Sequence, residues 1–424
     1  MSTLSDKLAL YAQLIPFFIP FLFQHLRQRI SAFLHKRAYK PLPPAQLKNV
    51  VVLGGSFAGV QITKRLADTL PTGYRVVLVE RNSHLNYLFA FPRFGVVPGY
   101  EKYAFIPYEG IVKGAPEGIY SRVQGTVVEV SAKEVVLEGG ERVAFEYLVV
   151  ATGTEAGVPN KVLATEKDEA EGELRSLQEK VVGAKRIAVV GGGAVGVEVA
   201  SDIKSFFPEK DVAIIHSRAQ LLNSFGSRLH EHVVSVFEEM GIAVLLNERP
   251  VIPAEGSVLR LFNGKETCFD LIIPCTGQKP NSSIVASLSP ELISKQSSHL
   301  NVKPTLQVDD DALPHIFAFG DVANTSGPKM ARAAFYQSEV VLQNLLSLIH
   351  GKKDLKPYKP QILIEGAIKL TLGKSKLVTY MRKESGREYL IPANNGAVDM
   401  GVQRSWRFYG ADPKAVERKE ELDA

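Results

Sequence analysis

Two glycine-rich segments have the composition and spacing of phosphate-binding turns. Each follows an apolar run of strand-forming residues, 49–53 or 186–190, and each precedes a helical pattern. In such a turn the first glycine allows a tight bend, the second lets the backbone approach a pyrophosphate, and the third lets the helix pack on the strand. The pyrophosphate then lies at the N-terminus of the helix, so both segments predict dinucleotide sites.

The two segments differ at the second glycine position. The second segment has glycine at all three positions, Gly191, Gly193 and Gly196. The first segment consists of Gly54, Gly55, Ser56, Phe57, Ala58 and Gly59. Ser56 replaces the second glycine there, but its side chain is small and its hydroxyl is able to donate to a phosphate.

The next strand of each unit ends in a different type of residue. Residues 75–79 lead into Glu80, a carboxylate placed to bind ribose hydroxyls. The corresponding run, 211–215, leads into His216 and, two residues later, Arg218. A carboxylate there would repel the 2′-phosphate of NADPH, so its absence predicts a site that accepts both NADH and NADPH. Arg218 is either a partner of the 2′-phosphate or a solvated loop cation.

Three further strands deliver residues to turns. Two of them end in glycine turns, each after its own glycine-rich segment, which indicates a duplicated architecture. The third, which begins at residue 316, delivers a carboxylate. The residues at these turns are Ala151, Thr152, Gly153, Gly277, Gly320 and Asp321.

The order of these motifs resembles that of the two-dinucleotide flavoprotein reductases, in particular the apoptosis-inducing-factor-like branch that includes the ferroptosis suppressor type. The resemblance covers about residues 48–350. It implies that the first segment binds the FAD pyrophosphate, Glu80 the adenosine ribose, and the Gly320-Asp321 turn the flavin ribityl and phosphate. Residues 151–153 and Gly277 are expected to contribute to the two cofactor sites.

The same resemblance implies roles for three other residues. Arg93 and Val127 are expected to contact FAD, and Glu198 is expected to lie beside the nicotinamide as the catalytic candidate. The disulfide reductases of this group carry a redox pair of cysteines after the helix of the first glycine-rich segment. This chain has no cysteine at that place, so dithiol chemistry is not expected. Cys268 and Cys275 fit no zinc or CxxC spacing, and no metal is predicted.

The expected fold is α/β, with two Rossmann-like domains for FAD and NAD(P)H and a small C-terminal α+β domain. In the last segment, three short strands are predicted at 361–364, 368–372 and 376–380. The predicted division is an N-terminal arm and linker at 1–47, FAD-binding segments at 48–160 and 281–350, an NAD(P)H-binding domain at 161–280, and the C-terminal domain at 351–424.

All of the net positive charge lies in the N-terminal arm. Residues 1–40 carry six basic side chains and one acidic one, and six minus one equals the formal net charge of +5 of the whole chain. The remainder has no net attraction for a phosphate backbone, so no nucleic-acid partner is predicted.

The arm joins a short apolar run to a basic amphipathic pattern. Residues 8–23 are nearly all apolar, but they are too short to cross a hydrocarbon core of about 30 Å, and Pro16 and Pro20 weaken a continuous helix. A helix in the membrane interface is the first interpretation. A short signal anchor, an arm folded onto its own domain and a cleaved mitochondrial presequence are the alternatives.

A membrane arm favours a lipid-soluble quinone as the electron acceptor. The expected location is a membrane surface with the catalytic body in the cytosol, at the mitochondrial outer membrane, the endoplasmic reticulum or a lipid droplet; a mitochondrial location is the alternative. The rival functions are a biosynthetic oxidase or reductase of a small metabolite and an apoptosis-inducing-factor-like signalling flavoprotein. The motifs specify no oligomeric state.

Overall fold

The apolar runs before the two glycine-rich segments form central strands of two parallel sheets. The computed structural model describes residues 4–253, 258–261, 264 and 266–416. The helices of this part are α1 (Leu4–Ala38), α2 (Phe57–Ala67), α3 (Phe91–Phe94), α4 (Lys167–Gly183), α5 (Ala194–Phe206), α6 (Ser227–Met240), α7 (Ala331–Ile349), α8 (Ile362–Glu365) and α9 (Val402–Phe408).

The strands are short, as is usual for sheets of this kind. In chain order they are β1 (Lys48–Leu53), β2 (Tyr74–Glu80), β3 (His84–Asn86), β4 (Phe105–Pro107), β5 (Tyr120–Gln124), β6 (Val127–Val130), β7 (Glu134–Leu137), β8 (Arg142–Ala144), β9 (Tyr147–Val150), β10 (Thr154–Glu155), β11 (Arg186–Val190), β12 (Asp211–Ile215), β13 (Ala243–Leu245), β14 (Val258–Arg260), β15 (Glu266–Cys268), β16 (Leu271–Pro274), β17 (Lys279–Pro280), β18 (Leu300–Asn301), β19 (Ile316–Ala318), β20 (Ala323–Asn324), β21 (Ile368–Leu372), β22 (Lys376–Arg382) and β23 (Glu388–Ala393).

The first parallel sheet has the strand order β19-β9-β1-β2-β5. Val50, Val51 and Val52 of β1 are fully buried, as expected for a strand covered on both faces of a parallel sheet. Helix α2 covers one face and packs against α7. Side chains of the antiparallel sheet β6-β7-β8 pack on the other face. Since β19 pairs with β9, this sheet joins segments that lie before and after the second glycine-rich turn.

The second parallel sheet has the strand order β13-β12-β11-β16. Its central residue Val189 pairs with Ile214 on one side and Ile273 on the other. Helices α5 and α6 share one core with this sheet. The predicted α/β fold with parallel sheets is therefore confirmed.

The C-terminal segment contains an antiparallel sheet of order β21-β22-β23. The strands predicted at 368–372 and 376–380 are present, but the one predicted at 361–364 is wrong, because that segment begins the helical turn α8. Glu365 explains the difference, since its buried carboxylate accepts a hydrogen bond from the backbone N–H of Gln361 at 2.9 Å and another from the Tyr358 hydroxyl. Trp406 packs in the core and Phe408 remains 61% exposed.

The arm forms one continuous helix, α1, through both prolines, although these were expected to weaken it. A proline removes the N–H that would bond the carbonyl four residues earlier. Pro16 and Pro20 both lie on the exposed side of α1, away from its contacts with the body. Among the residues that the structure describes, no helix is both long and apolar enough to cross a membrane.

Helix α1 lies along the body through contacts spread over its length. Leu10 is buried against Ala367, Met381 and Tyr389 of the C-terminal segment. Further along the arm, specific contacts reach α7 and the end of α2. These are a contact between the Phe21 and Phe335 rings, a hydrogen bond of 3.2 Å from Gln28 to Glu339, and one of 2.7 Å between His35 and the Leu70 carbonyl.

Candidate functional site

The first glycine-rich turn has a backbone that a larger residue would disrupt. Gly54 has a φ of +95°, and a Cβ there would lie 2.6 Å from the carbonyl oxygen of Ala151. A Cβ at Gly59 would overlap the carbonyl oxygen of Gly54. A tight turn and close packing of a helix on a strand demand glycine at these two places.

Ser56 occupies a position that does not require glycine. Its φ and ψ are −85° and −163°, which is extended backbone. Gly193, at the same place in the second turn, has nearly the same values, −79° and −176°. The Ser56 hydroxyl makes no capping hydrogen bond to α2, which leaves it able to donate to a phosphate.

Glu80, the last residue of β2, holds the first turn in place. Its carboxylate accepts hydrogen bonds from the backbone N–H of Gly55 and, at 2.8 Å, from that of Asn82. The Tyr108 hydroxyl donates to the Gly55 carbonyl oxygen at 2.7 Å. Burial raises the pKa of Glu80, and the backbone hydrogen bonds oppose that rise.

A cleft of about 320 Å³ lies beside this turn, where β1, β2 and β9 end. Ligands of open parallel sheets bind outside the carboxyl ends of the strands. Most of the predicted FAD residues line this cleft, namely Gly54, Ser56, Phe57, Ala58, Glu80, Val127, Ala151, Thr152, Gly153, Gly320 and Asp321. Gly55 and Gly59 are not in the lining, because Gly55 is clamped between Glu80 and Tyr108 and Gly59 packs on Gly54.

Sequence reasoning missed several residues that line the same cleft: Arg81, Asn82, Lys161, Asn281, Ala331 and Ala334. Lys161 is the most informative, because it is a cation among predicted phosphate and flavin contacts. Its Nζ donates to the hydroxyl of Thr154 at 2.7 Å. Burial lowers its pKa to about 8, and the charge of Asp321 opposes that shift. No motif marks this lysine; its one sequence signal is that it follows the 151–153 turn.

The second glycine-rich turn repeats the geometry of the first. Gly191 has a φ of +124°, and a Cβ there would overlap the carbonyl oxygen of Cys275. A Cβ at Gly196 would overlap the carbonyl oxygen of Gly191. Nothing lies within 4 Å of a Cβ placed on Gly193, so the backbone there is open to a ligand. This is the arrangement expected of a dinucleotide turn.

The turns after β9 and β16 are joined to each other. Gly153 and Gly277 both have positive φ values, +64° and +48°, and the strands that follow them, β10 and β17, pair with each other. The Thr152 hydroxyl donates to the Asn281 carbonyl at 2.8 Å, and the Asn281 side chain donates back to the Thr152 carbonyl at 3.0 Å. The segment after β9 is therefore joined to the segment after β16 by strand pairing and by reciprocal hydrogen bonds.

Glu198 lies on α5 directly after the second turn. Its carboxylate accepts hydrogen bonds from the backbone N–H and the hydroxyl of Thr371, at 3.1 and 3.0 Å. Burial raises its pKa to about 7, and the hydrogen bonds from Thr371 oppose that rise. Its place beside the nicotinamide stays a prediction, and a carboxyl with a pKa in this range would be a candidate for proton transfer there.

Arg93 is not among the residues described as lining the FAD cleft, so its contact with FAD stays a prediction. Its guanidinium is fully buried and donates to Asp202 at 2.7 and 3.0 Å and to the Gly373 carbonyl at 2.7 Å. Asp202 lies on α5, one turn after Glu198. Arg93 thus ties the first unit to α5 and to the C-terminal segment, and the predicted contact with FAD lacks support from this geometry.

The end of β12 carries a histidine in the place that Glu80 has in the first unit. The Nδ1 atom of His216 accepts a hydrogen bond of 3.0 Å from the backbone N–H of Gly192. The neutral ring therefore fixes the second turn as a carboxylate fixes the first, without a negative charge. Burial lowers the pKa of His216, which favours that neutral form. Arg218, two residues on, is exposed, and its contact with a 2′-phosphate stays a prediction.

Comparison with known proteins assigns this pair of turns to a family. A family model described as pyridine nucleotide-disulphide oxidoreductase matches residues 48–338, a span that includes both turns and the cleft. The chain belongs to this family. The enzyme is an FAD-dependent NAD(P)H oxidoreductase, and the predicted cofactors and the predicted resemblance are confirmed.

Two relatives cover most of the chain. Fe-regulated protein 8 of Mycosarcoma maydis is 32% identical over 396 residues, which are 86% of this chain and 96% of that protein. Ferroptosis suppressor protein 1 of Xenopus tropicalis is 30% identical over 376 residues, 85% of this chain and 96% of that protein.

Solved structures share the fold at low sequence identity. The sulfide:quinone oxidoreductase of Aquifex aeolicus superposes with a TM-score of 0.69 at 16% identity, over 89% of this chain and 95% of that one. The NDH2 structure from Plasmodium falciparum in complex with NADH gives a TM-score of 0.64 at 14% identity, over 83% and 92%.

The residues of the first cleft fit FAD. Its turn leaves no room for a Cβ at Gly54 or Gly59, its helix N-terminus and Ser56 hydroxyl suit a pyrophosphate, and Glu80 and Asp321 supply carboxylates where ribose and ribityl groups are expected. Bound FAD supplies the chemistry of accepting a hydride and passing on electrons. The protein's part is to bind the two cofactors, hold their relative position and control access to them.

Proposed function

We propose that this enzyme is an NAD(P)H:quinone oxidoreductase that works on a membrane surface, with its catalytic body in the cytosol. The observation that carries the proposal is an exposed apolar face on α1. A run of large apolar side chains along this helix is 44–69% exposed: Ile15, Phe18, Ile19, Phe21, Leu22, Phe23, Leu26, Ile30, Phe33 and Leu34. Exposed apolar surface of this extent, next to basic residues, is typical of a membrane-binding helix.

The position of α1 supports delivery of an apolar acceptor to the cleft. The Phe21 ring lies 6.4 Å from the Phe335 ring of α7. Ala331 and Ala334, in the first turn of α7, line the FAD cleft. The arm is therefore attached to the helix whose N-terminal turn borders the cofactor, so a molecule leaving the lipid beside α1 has a short path to the site.

The cleft also has an aromatic edge suited to a planar acceptor. Phe57 lines the cleft, and its ring centroid lies 4.6 Å from that of Phe89, which is 51% exposed. Aromatic rings in this arrangement offer a stacking surface between solvent and cofactor. Names among the similar proteins agree with this acceptor, since one of the solved structures is a sulfide:quinone oxidoreductase.

The test changes the exposed face of α1 and leaves its contacts with the body intact. Phe18, Leu22 and Leu26 follow each other at helical spacing and are 64%, 68% and 55% exposed. With all three replaced by Gln, we expect vesicle binding to fall at least about tenfold, because each substitution removes apolar surface that would be buried in the membrane. Turnover with a long-tailed quinone in vesicles should fall with it, whereas turnover with a short-tailed soluble quinone should not.

The matched control replaces exposed apolar residues away from the arm, Val182 and Val251, with Gln. This control should retain vesicle binding and both activities. Unchanged turnover of the long-tailed quinone in the arm variant would contradict the membrane-quinone proposal. Turnover with soluble acceptors alone, in the unmodified protein, would favour the metabolite reductase instead.

A further inference from the structure

A second cavity, separate from the FAD cleft, lies between α2, the turn at 110–113 and the end of α9. Its volume is about 280 Å³, and it shares no lining residue with the cleft. Three of its lining side chains are basic, Lys64, Lys113 and Arg407, and one is acidic, Asp68. The described side chains of the lining thus carry a net charge of three minus one, or +2.

The basic groups are not all neutralised by the protein. Lys64 donates to the backbone carbonyl of Phe408 at 3.2 Å, and its Nζ lies 4.8 Å from the centre of the Phe408 ring. Lys113 and Arg407 are exposed and form no salt bridge with any residue in the described ranges. Within the described ranges, two charges at the rim therefore lack an acidic partner, above a partly buried third.

The walls of this cavity are held by backbone packing that only glycine allows. A Cβ on Gly110 would overlap the carbonyl of Gly410, and a Cβ on Gly410 would overlap the carbonyl of Gly110. Gly410 also has a φ of +79°. This contact holds the backbone of the turn that carries Lys113 against the chain end of α9 that carries Arg407.

The cavity lies next to the basic end of the arm. His35 of α1 forms a hydrogen bond of 2.7 Å with the carbonyl oxygen of Leu70, two residues after Asp68 of the cavity wall. His35 is followed by Lys36 and Arg37 in the last turn of α1. Phe408, at the cavity rim, is 61% exposed and adds an apolar surface beside these basic residues.

We propose that this cavity binds the phosphate of an anionic phospholipid headgroup, with Lys113 and Arg407 contacting the phosphate and Lys64 supplying charge from below. The proposal rests on the membrane association argued above and adds a specific lipid site to it. Arg407 presents a planar fork that matches two phosphate oxygens, and Lys113 acts as a point charge.

Two features of the same cavity disfavour the binding of an anion, namely the carboxylate of Asp68 and the C-terminal ends of two helices. The C-termini of α2 and α9 carry partial negative charge. Lys64 offsets this by donating to the last carbonyl of α9 and by lying one turn before Asp68 on α2. The two rim cations remain in excess, which makes an anion the favoured ligand.

The experiment measures binding of short-chain phosphatidic acid, used as a monomer in solution, to the FAD-loaded full chain. The variant is Lys113→Gln with Arg407→Gln. Its matched control, Lys133→Gln with Arg404→Gln, removes the same charge from exposed positions outside the cavity. We expect affinity to fall at least about tenfold in the variant and to stay unchanged in the control.

A second variant, Asp68→Asn, should strengthen binding, because it removes the one acidic group from the wall. A gain of this kind does not arise from damage to the fold. Equal affinity in the unmodified chain, the cavity variant and the control would overturn the proposal, as would weaker binding in Asp68→Asn.

Two further ligands distinguish the source of the phosphate. Short-chain phosphatidylcholine should bind at least about tenfold more weakly, because it has no net negative charge. If inorganic phosphate binds as tightly as phosphatidic acid, the cavity is a site for free phosphate, and the proposal of a phospholipid headgroup as its ligand is overturned. Since the probe is a monomer, its binding requires neither a bilayer nor quinone turnover, so a failure here is separate from a failure of the proposed function.

Discussion

Glu198 and Thr371 join the helix of the second dinucleotide turn to the C-terminal sheet. One carboxylate oxygen of Glu198 accepts both the backbone N–H and the hydroxyl of Thr371, at 3.1 and 3.0 Å. The two residues are 173 positions apart in the chain, so the fold and not the local sequence creates this pair. The contact places a titratable carboxyl where the cofactor units and the C-terminal segment meet.

The raised pKa of Glu198 predicts a pH dependence of stability. Its pKa rises from an ordinary value of 4.5 to about 7 on folding, so the folded state holds the proton more tightly. The contribution of this group is fully present below pH 4.5 and is lost as the pH rises through about 7. Urea unfolding of FAD-loaded protein at a series of pH values should therefore show a steeper decline across this window in the unmodified chain than in Glu198→Gln. Parallel curves for the two proteins would contradict the assignment.

The buried pair of Arg93 and Asp202 predicts a large effect on stability. Removing one partner leaves an uncompensated charge, so Arg93→Ala should lower the free energy of unfolding by about 3–5 kcal/mol. The measurement is denaturant unfolding of both single variants and the double variant. A double variant that loses much less than the sum of the singles is expected from direct pairing. If the Arg93→Ala protein remains folded but loses FAD, that result would instead support the predicted contact between Arg93 and FAD.

The first glycine-rich turn predicts that FAD binding is lost on a minimal substitution. Gly59→Ala places a methyl group against the carbonyl of Gly54, and neither backbone segment is able to give way cheaply. The purified variant should lack flavin absorbance. Gly172→Ala is the control, because nothing lies within 4 Å of its added Cβ, and it should retain FAD in full. A yellow Gly59→Ala protein with a normal flavin content would refute this assignment of the turn.

Arg218 predicts a difference between the two nicotinamide cofactors. If its guanidinium meets the 2′-phosphate, Arg218→Gln should weaken NADPH relative to NADH by about 1.5–3 kcal/mol, the range for a charged hydrogen bond. The KM values for both cofactors provide the measurement. Arg382→Gln removes an exposed arginine elsewhere and should change neither. Equal losses for NADH and NADPH would make Arg218 a solvated loop residue.

The parts of the site that depend on local backbone were predictable from the sequence. Gly54 and Gly191 follow apolar runs, and a turn with positive φ after a buried strand is a local property of such a sequence. The ion pair of Arg93 was not predictable, because its partner Asp202 lies 109 residues away and only the packed structure shows that the pair is buried. Lys161 belongs to no motif, so its position in the cleft depends on how the chain returns after β9.

Two departures of the fold have equally physical reasons. The helical turn α8 replaces a predicted strand because the buried carboxylate of Glu365 accepts hydrogen bonds from the backbone N–H of Gln361 and from the Tyr358 hydroxyl. A hydrophobic pattern does not reveal these bonds. The arm stays helical through Pro16 and Pro20 because both face away from the body. Helix propensity reflects the hydrogen bonds that a proline removes and does not depend on where the proline lies in the packed structure.

The most direct test of the central claim follows flavin absorbance by anaerobic rapid mixing of the full chain with NADH and then with a quinone. We expect a yellow protein whose flavin absorbance bleaches on mixing with NADH or NADPH and recovers on addition of a quinone. A protein that carries no FAD and takes none up, a flavin that neither nicotinamide cofactor bleaches, or a bleached flavin that no quinone restores would contradict it.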